Sequence, residues 1–333
     1  MGTGIDVCKE KSWAIFAAQI AQKPEAVLIL LSTWNGNKYL SEQLDSIFSQ
    51  TIAEDIFVFA RDDGSTDGTQ DILDKYASSG RLYWYQGENV GAARSFHKLM
   101  REAPTAVYYA FADQDDVWLS NKVEKARRAI AAETVPALFS SSKQIVDENL
   151  QLMSVPDAKP VSLTAMSMIL HTNVLSGCTM LFNDAMRRIY LQAQWEQLPF
   201  AIGCWHDAWL ARLASIFGKI IYLDEPDILY RQHGDNSIGV MTSGMALLIR
   251  RISTLDFTLK KYRENDFSSR TAKSIEEIYQ GAIPVVAAEI VHNIAYARTS
   301  LVSRLKLFWT SGLSRKPLYE FLVYKLWILL GWI

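Results

Sequence analysis

Short apolar runs separated by amphipathic stretches dominate the first third of the chain. The runs AVLILLS (26–32), DIFVFA (55–60), RLYWYQ (81–86) and AVYYAFA (106–112) have the length and composition of buried strands. The segments between them repeat apolar residues every three to four positions, as amphipathic helices do. This alternation predicts an α/β fold in which helical crossovers join the strands of a largely parallel sheet.

The alternation loosens beyond residue 130, where strand-like stretches occur at 137–146, 175–183 and 219–236. From Gly239 onward the pattern is helical and basic. We therefore expect four segments: a lead-in at 1–25, the two halves of one α/β domain at 26–118 and 119–238, and a helical C-terminal region at 239–333.

The last sixteen residues, LYEFLVYKLWILLGWI (318–333), are strongly apolar but contain Glu320 and Lys325. They fall short of the roughly twenty residues that span a bilayer. Because Arg304, Lys306, Arg315 and Lys316 precede them, we expect a helix at a membrane interface. The alternative is a helix packed on the core or on a second copy of the chain, as in a homodimer.

Composition narrows the functional classes. Lys and Arg total 34 against 36 for Asp and Glu, so the formal charge of −2 gives no reason to expect nucleic acid as a partner. The cysteines Cys8, Cys178 and Cys204 are far apart and have no CxxC spacing, which argues against a disulfide framework and a zinc site. They fit a reducing cytoplasm.

Polar loops follow three of the predicted strands: STWNGN, RDDGSTDG and DQDD. Open α/β sheets bind their ligands beyond the carboxyl ends of the strands, so these loops are expected to face one crevice. In DQDD, the closely spaced Asp113 and Asp115 would repel each other unless a divalent cation, Mg²⁺ or Mn²⁺, lay between them. Such a cation would bring a diphosphate with it. The alternative is an acidic turn.

The loop RDDGSTDGT places Asp62 and Asp63 at the end of the second strand. A carboxylate there could accept hydrogen bonds from a nucleobase or a ribose hydroxyl. The same residues could equally form a well-capped turn before the next helix.

The motifs LSTWNGNKYL, RDDGSTDGT, ENVGAARS and FADQDDVW, in this order, resemble those of the inverting family 2 glycosyltransferases, over about residues 25 to 240. This resemblance implies the GT-A fold, a Rossmann-like mixed sheet flanked by helices. The forms DQDDVW and RQHGDN resemble the rhamnosyltransferase-like members that build bacterial surface polysaccharides.

The resemblance also implies roles for individual residues in nucleotide binding. Thr33 and Asn35 would line the nucleotide pocket, and Asp62 or Asp63 would contact the base. Further along the chain, Gly91 and Arg94 would approach the nucleotide, whereas Asp113 and Asp115 would hold the ribose, the diphosphate and the metal, with Asp115 as the direct metal ligand.

Two further segments carry the implied chemistry. In CWHDAWL, Asp207 matches the acidic residue that accepts the proton of the acceptor hydroxyl, and His206 stands where Glu is more usual. Asp207 could otherwise serve only the dipole at a helix N-terminus. In YRQHGDN, His233 could bind the metal, contact the diphosphate or order a loop, and Arg231 is a candidate for the diphosphate.

Together these features predict a glycosyltransferase that transfers one sugar, favouring dTDP-rhamnose as donor and a polyprenyl-diphosphate-linked glycan as acceptor. Its predicted location is the cytoplasmic face of the plasma membrane, with peripheral attachment. The alternatives are a UDP- or GDP-hexose donor, or a catalytically silent scaffold that binds nucleotide or glycan.

Overall fold

The computed structural model describes residues 7–154, 160, 162–170, 175–194, 205–234, 266–311, 313 and 318–332. Cys204, the stretch 235–265, and Arg315 with Lys316 lie outside this part. The strands are β1 Val27–Thr33, β2 Ile56–Asp62, β3 Leu82–Gln86, β4 Tyr108–Ala112, β5 Val117–Trp118, β6 Ala137–Val146, β7 Leu181–Asn183 and β8 Lys219–Arg231. The helices are α1 Val7–Ala21, α2 Leu40–Phe48, α3 Thr69–Ala77, α4 Ala92–Glu102, α5 Lys122–Ile130, α6 Ala165–Leu170, α7 Asp184–Tyr190, α8 His206–Phe217, α9 Phe267–Ile278, α10 Val285–Tyr296, α11 Leu301–Trp309 and α12 Leu318–Leu330.

The described strands form a single mixed sheet in the order β3-β2-β1-β4-β7-β6-β8-β5. Strands β1 to β4 pair in parallel, as their apolar runs predict. Strand β7 runs antiparallel to both β4 and β6, and β5 runs antiparallel to β8. Because Thr33 pairs with Asp62 and Leu31 with Ala112, the carboxyl ends of β1, β2 and β4 meet at one edge.

Burial on both faces explains why the central strands read as continuous apolar runs rather than alternating ones. In β1, Leu28 and Leu30 enter one hydrophobic cluster, whereas Ile29 and Leu31 enter the cluster on the other side of the sheet. All of them are fully buried. The sheet is therefore a rigid central layer, and the loops at its carboxyl edge rest on it.

The helices near the two ends of the chain pack at different places: α1 contacts strand β3, and α12 contacts helices α6 and α11. Phe16 and Ile20 of α1 are buried, and the Trp13 ring lies 5.1 Å from the ring of Tyr83 on β3. On α12, Tyr324 donates to the carbonyl of Leu170, and Ile328 is buried. Among the described residues, no helix is both long and apolar enough to cross a membrane.

Candidate active site

The loops after β1 and β2 are joined by a network of short polar side chains. Thr33 Oγ1 donates to Asp62 Oδ1 at 3.0 Å, and the backbone N–H of Asn35 donates to Ser65 Oγ at 2.9 Å. In return, Asn35 Oδ1 accepts from the N–H of Thr66 at 2.9 Å. Asn35 has a φ of 47°, a left-handed conformation that asparagine tolerates better than most residues. The structure thus brings the predicted pocket residues Thr33 and Asn35 together with the second loop.

Asp62 and Asp63 are both buried, and both carboxylates hold the backbone of these loops. Asp62 Oδ2 accepts from the N–H of Ser65 at 3.1 Å and from Gln70 Nε2 at 3.0 Å. Asp63 forms an ion pair with the buried Arg61. These contacts make the two aspartates organisers of the crevice floor, and their predicted contact with a base stays a prediction.

Asp63 also places the segment that precedes α4. Its carboxylate accepts from the N–H groups of Val90 at 2.9 Å and Gly91 at 2.8 Å. Gly91 adopts a φ of 81° and is exposed, with open space where a Cβ would stand. Arg94 follows on the exposed side of the first turn of α4. The Asp63 carboxylate therefore anchors the loop that ends at Gly91 and leads into the first turn of α4, where Arg94 lies.

The DQDD loop is tied to the first loop by Gln114. Its side chain accepts from the backbone N–H of Trp34 at 2.8 Å and donates to the Trp34 carbonyl at 2.9 Å. A Cβ on Gly36 would lie 2.4 Å from Gln114 Oε1, so a larger residue at that position would displace the Gln114 side chain. The loops after β1 and β4 therefore form one continuous rim.

Asp115 and His233 meet across 118 positions of sequence, with Asp115 Oδ2 2.8 Å from His233 Nε2. His233 also packs against the Tyr39 ring, with 4.9 Å between ring centroids. The pair that the sequence assigned to the metal is thus adjacent. Its metal-binding role remains a prediction.

Negative charge accumulates around the neighbouring Asp113. Burial of its carboxyl raises the pKa of Asp113 to about 7, and the charges of Asp115 and Asp207 add to this increase. Burial also raises the pKa of Asp116 well above its usual value, again with help from its acidic neighbours. Among the residues described, Asp113, Asp116 and Cys178 offer potential ligand atoms within 4.8 Å of one another.

A divalent cation would relieve this repulsion, and the donors present suit one. Carboxylate oxygens are the ligands that Mg²⁺ and Mn²⁺ prefer. The Cys178 thiol is buried, and burial raises its pKa well above the usual value, so the thiol stays protonated. The residues at this edge therefore fit a hard cation bound through oxygen.

Asp207 lies in the first turn of α8, and its charge is one of those that raise the pKa of Asp113. Asp207 Oδ2 accepts from the N–H of Gly177 at 3.2 Å. A Cβ on Gly177 would stand 2.8 Å from His206 Nε2 and 3.3 Å from the Asp207 Cβ. Close packing of Gly177 against the start of α8 thus sets the position of Asp207.

His206 is a core residue. Its ring stacks on Phe96 at 4.0 Å between centroids and meets the edge of Phe111 at 4.6 Å. Neither ring nitrogen has a hydrogen-bond partner among the described residues, and burial lowers the pKa of His206 to about 3. A neutral, enclosed imidazole of this kind packs the helix that carries Asp207.

Arg231 is buried and fastens the DQDD loop to its surroundings. Its Nε donates to the Asp115 carbonyl and its Nη1 to the Glu148 carbonyl, both at 2.7 Å, while Nη2 pairs with Glu42. The guanidinium also lies 4.4 Å from the centre of the Tyr39 ring. The structure gives Arg231 this holding role, which the sequence did not predict; a contact with diphosphate remains a prediction.

Lys143 is the residue of this region that the sequence reasoning missed. Its ammonium contacts Ser176 Oγ and lies 4.3 Å from the centre of the Tyr230 ring. Its charge opposes the increase in the pKa of Asp113. A lysine inside the strand-like run SSSKQIV was the available signal, since charged residues are rare in half-buried strands.

Comparison with known proteins agrees with this geometry. Residues 28–187 match the family model for glycosyl transferase family 2. The chain is 27% identical over 236 residues to the dTDP-rhamnosyl transferase RfbG of Shigella flexneri, covering 64% of this chain and 75% of that protein. It is 26% identical over 165 residues to the UDP-Glc:alpha-D-GlcNAc-diphosphoundecaprenol beta-1,3-glucosyltransferase WfaP of Escherichia coli, covering 50% of this chain and 64% of that protein.

Solved structures show the same architecture. Residues 1–349 of S. aureus TarS, in complex with UDP-GlcNAc, superpose with a TM-score of 0.50 at 18% identity, covering 85% of this chain and 89% of that one. The mixed sheet, the polar loops at its carboxyl edge and these matches define a nucleotide-sugar transferase fold. Residues 28–187 carry a family 2 glycosyltransferase domain, and the chain has the GT-A fold. The predicted fold class and enzyme class are thereby confirmed.

Proposed function

We propose that the protein transfers one sugar from a nucleoside diphosphate donor to a lipid-linked glycan with inversion at the anomeric carbon. The observation that supports this most directly is the convergence of Asp207, Asp113 and the Asp115–His233 pair at one edge of the sheet. These residues come from three distant parts of the sequence. The acidic base candidate thus lies close enough to the acidic metal-site candidate for its charge to raise the pKa of Asp113.

In the proposed reaction, Asp207 accepts the proton of the acceptor hydroxyl while the oxygen attacks the anomeric carbon. The bond from that carbon to the diphosphate oxygen breaks in the same step, and the electron pair leaves with the nucleoside diphosphate. A divalent cation at Asp115 and His233 would neutralise charge on the leaving diphosphate. Gly177 orients Asp207 for the proton transfer through its N–H.

We favour dTDP-rhamnose as donor and a polyprenyl-diphosphate-linked glycan of bacterial polysaccharide synthesis as acceptor. The relative RfbG is named for transfer from dTDP-rhamnose, and the motif forms DQDDVW and RQHGDN agree with that choice. The second candidate is a UDP-hexose donor, because the relative WfaP is named for UDP-Glc. With a lipid-linked acceptor, the enzyme would work at the membrane surface.

A donor screen tests the proposal. Wild-type protein and Asp207→Asn would each be mixed with dTDP-rhamnose, UDP-Glc, UDP-GlcNAc or GDP-mannose and Mn²⁺ or Mg²⁺, following thermal stabilisation and donor hydrolysis. We expect stabilisation by dTDP-rhamnose that EDTA removes, in both proteins, and turnover in the wild type alone. Turnover by Asp207→Asn would refute the assignment of the base. A silent response to every donor would favour a scaffold instead.

A further inference from the structure

Tyr39 is a buried aromatic residue that lies outside the hydrophobic core. Only 9% of its surface is exposed, yet neither hydrophobic cluster of the described residues includes it. Instead, three basic side chains lie against its ring. The centre of the ring is 4.4 Å from the Arg231 guanidinium carbon, 4.8 Å from the Lys38 ammonium and 4.9 Å from the centre of the His233 ring. Cations within about 6 Å of an aromatic face are attracted to it, so the ring holds its basic neighbours in place.

Each of these basic groups is also paired with a carboxylate: Lys38 with Glu148, Arg231 with Glu42, and His233 with Asp115. Among these carboxylates, only that of Asp115 belongs to the DQDD loop. Its pair with His233 is largely enclosed, because the two side chains are 14% and 11% exposed. The Tyr39 ring therefore borders the pair to which the proposed function assigns the cation.

The backbone of Tyr39 is fixed at the start of α2. Its N–H donates to the Gly36 carbonyl at 3.1 Å, and its own carbonyl accepts from the N–H of Gln43 at 3.1 Å. Tyr39 immediately precedes α2, and Leu40 and Leu44 of that helix are fully buried in the core. The ring is thus attached to a rigid element of the fold.

His233, by contrast, lies beyond the part of β8 that the sheet holds. Strand β8 ends at Arg231, which is its last residue in register with β6. The position of the His233 ring therefore depends on side-chain contacts, and those with Asp115 and Tyr39 are two of them. A histidine that binds a metal is generally oriented by contacts outside the coordination sphere. Removing such a contact typically lowers metal affinity by about tenfold to a hundredfold.

We propose that Tyr39 is a positioning residue for the cation site: its ring holds the His233 imidazole against Asp115 and thereby sets the affinity for Mn²⁺ or Mg²⁺. This inference rests on the proposed function, in which a cation at Asp115 and His233 neutralises charge on the leaving diphosphate. The face of the ring supplies the contact, so the phenol hydroxyl is not required. The competing role is packing alone, in which the ring only fills space beside the start of α2.

Binding of Mn²⁺ to the full-length protein, without donor or acceptor, tests the inference through the electron paramagnetic resonance signal of the free ion. Tyr39→Leu should lower the affinity by roughly tenfold or more, whereas Tyr39→Phe keeps the ring and should stay within about twofold of wild type. Tyr39→Met replaces the leucine variant if that protein is unstable. The control is Tyr76→Leu, which removes a tyrosine that contacts Phe48 and Asp45 of the same helix, and it should bind Mn²⁺ like wild type.

Combination with His233→Gln shows whether Tyr39 acts through His233. In that case the double variant binds Mn²⁺ no more weakly than His233→Gln alone, because residues that act together are not additive. Additive losses would overturn the inference, as would equal losses in Tyr39→Leu and either Tyr39→Phe or Tyr76→Leu, unchanged affinity in Tyr39→Leu, or a wild type that binds no Mn²⁺. Mn²⁺ binding that depends on Tyr39, together with a silent donor screen, would retain the positioning role and remove the proposed transferase activity.

Discussion

The N–H of Gly177 donates a hydrogen bond of 3.2 Å to the carboxylate of Asp207. The two residues lie in different elements, a short 3₁₀ helix at Gly177–Thr179 and the first turn of α8. This contact fixes the base candidate from outside its own helix. The position of Asp207 therefore depends on a residue that offers only its backbone.

Gly177→Ala should displace Asp207 without removing it. The new Cβ would lie within 2.8 Å of His206 Nε2 and 3.3 Å of the Asp207 Cβ, so the helix start has to shift. We expect kcat to fall by roughly tenfold to a hundredfold, because small misplacements of a catalytic group are costly. Steady-state kinetics with the donor found in the screen measures this.

Donor binding serves as the control for Gly177→Ala. Stabilisation by the donor should match that of the wild type, because the loops predicted to bind the nucleotide follow β1, β2 and β4. An unchanged kcat would show that Gly177 does not position the base.

Lys143→Met should reduce transfer, and Lys143→Arg should restore part of it. The lysine is a positive charge close enough to Asp113 to oppose the increase in its pKa, and it holds Ser176, the residue that precedes Gly177. A loss on the order of tenfold in kcat is expected when the cation is removed. The exposed Lys219, paired with Glu133 on the surface, gives the control variant Lys219→Met. Equal losses in the Met and Arg variants of Lys143 would indicate that shape matters there and charge does not.

Arg231→Gln should destabilise the folded protein. The substitution removes donors from two backbone carbonyls and breaks the pair with Glu42, which is itself partly exposed. We expect a loss of about 2 kcal/mol in the free energy of unfolding. Arg128→Gln removes a surface arginine from its pair with Glu124 and should change stability by no more than about 0.5 kcal/mol. Urea denaturation of both variants measures the difference.

Acid should destabilise the protein through its buried histidines. Burial lowers the pKa of His206 to about 3 and of His97 to about 2, against 6.5 for an ordinary histidine. Below pH 6.5 these two histidines bind protons in the unfolded chain but stay neutral in the folded protein. Each group therefore lowers stability by about 1.4 kcal/mol per pH unit as the pH falls from 6.5 toward its folded pKa.

His206→Leu should remove the contribution of one protonation site to the pH dependence of stability. Between pH 6 and pH 4.5, its free energy of unfolding should fall less steeply than that of the wild type, by about 1.4 kcal/mol per pH unit. Parallel slopes for His206→Leu and wild type would show that His206 is charged or solvated in the folded protein.

The strands near the start of the sheet could be predicted because their burial on both faces leaves an uninterrupted apolar run. Strand β5 was missed, since Val117–Trp118 is only two residues long and is defined by its pairing with β8. The strand predicted at 175–183 shrinks to Leu181–Asn183, because Gly177–Thr179 turns into a 3₁₀ helix beneath Asp207. Local pattern does not encode such tertiary contacts.

The same limit applies to the candidate site. The carboxyl ends of parallel strands meet at one edge, and this rule alone brought the first three polar loops together. The partners of Arg231 and Lys143 depend on pairing between β6, β8 and β5, which no spacing in the sequence reveals. Sequence therefore located the acidic residues, whereas the structure was needed to find the cations that hold them.

Phe16 near the start of the chain and Ile328 near its end belong to one continuous hydrophobic cluster. Removal of either terminal helix would open that cluster to water, so shortened chains would report a loss of folding cooperativity before any loss of binding or catalysis. The first and last described helices therefore cover one common hydrophobic interior. Point substitutions on exposed side chains leave this interior intact. They can therefore separate the contribution of the C-terminal helices to stability from their contribution to binding.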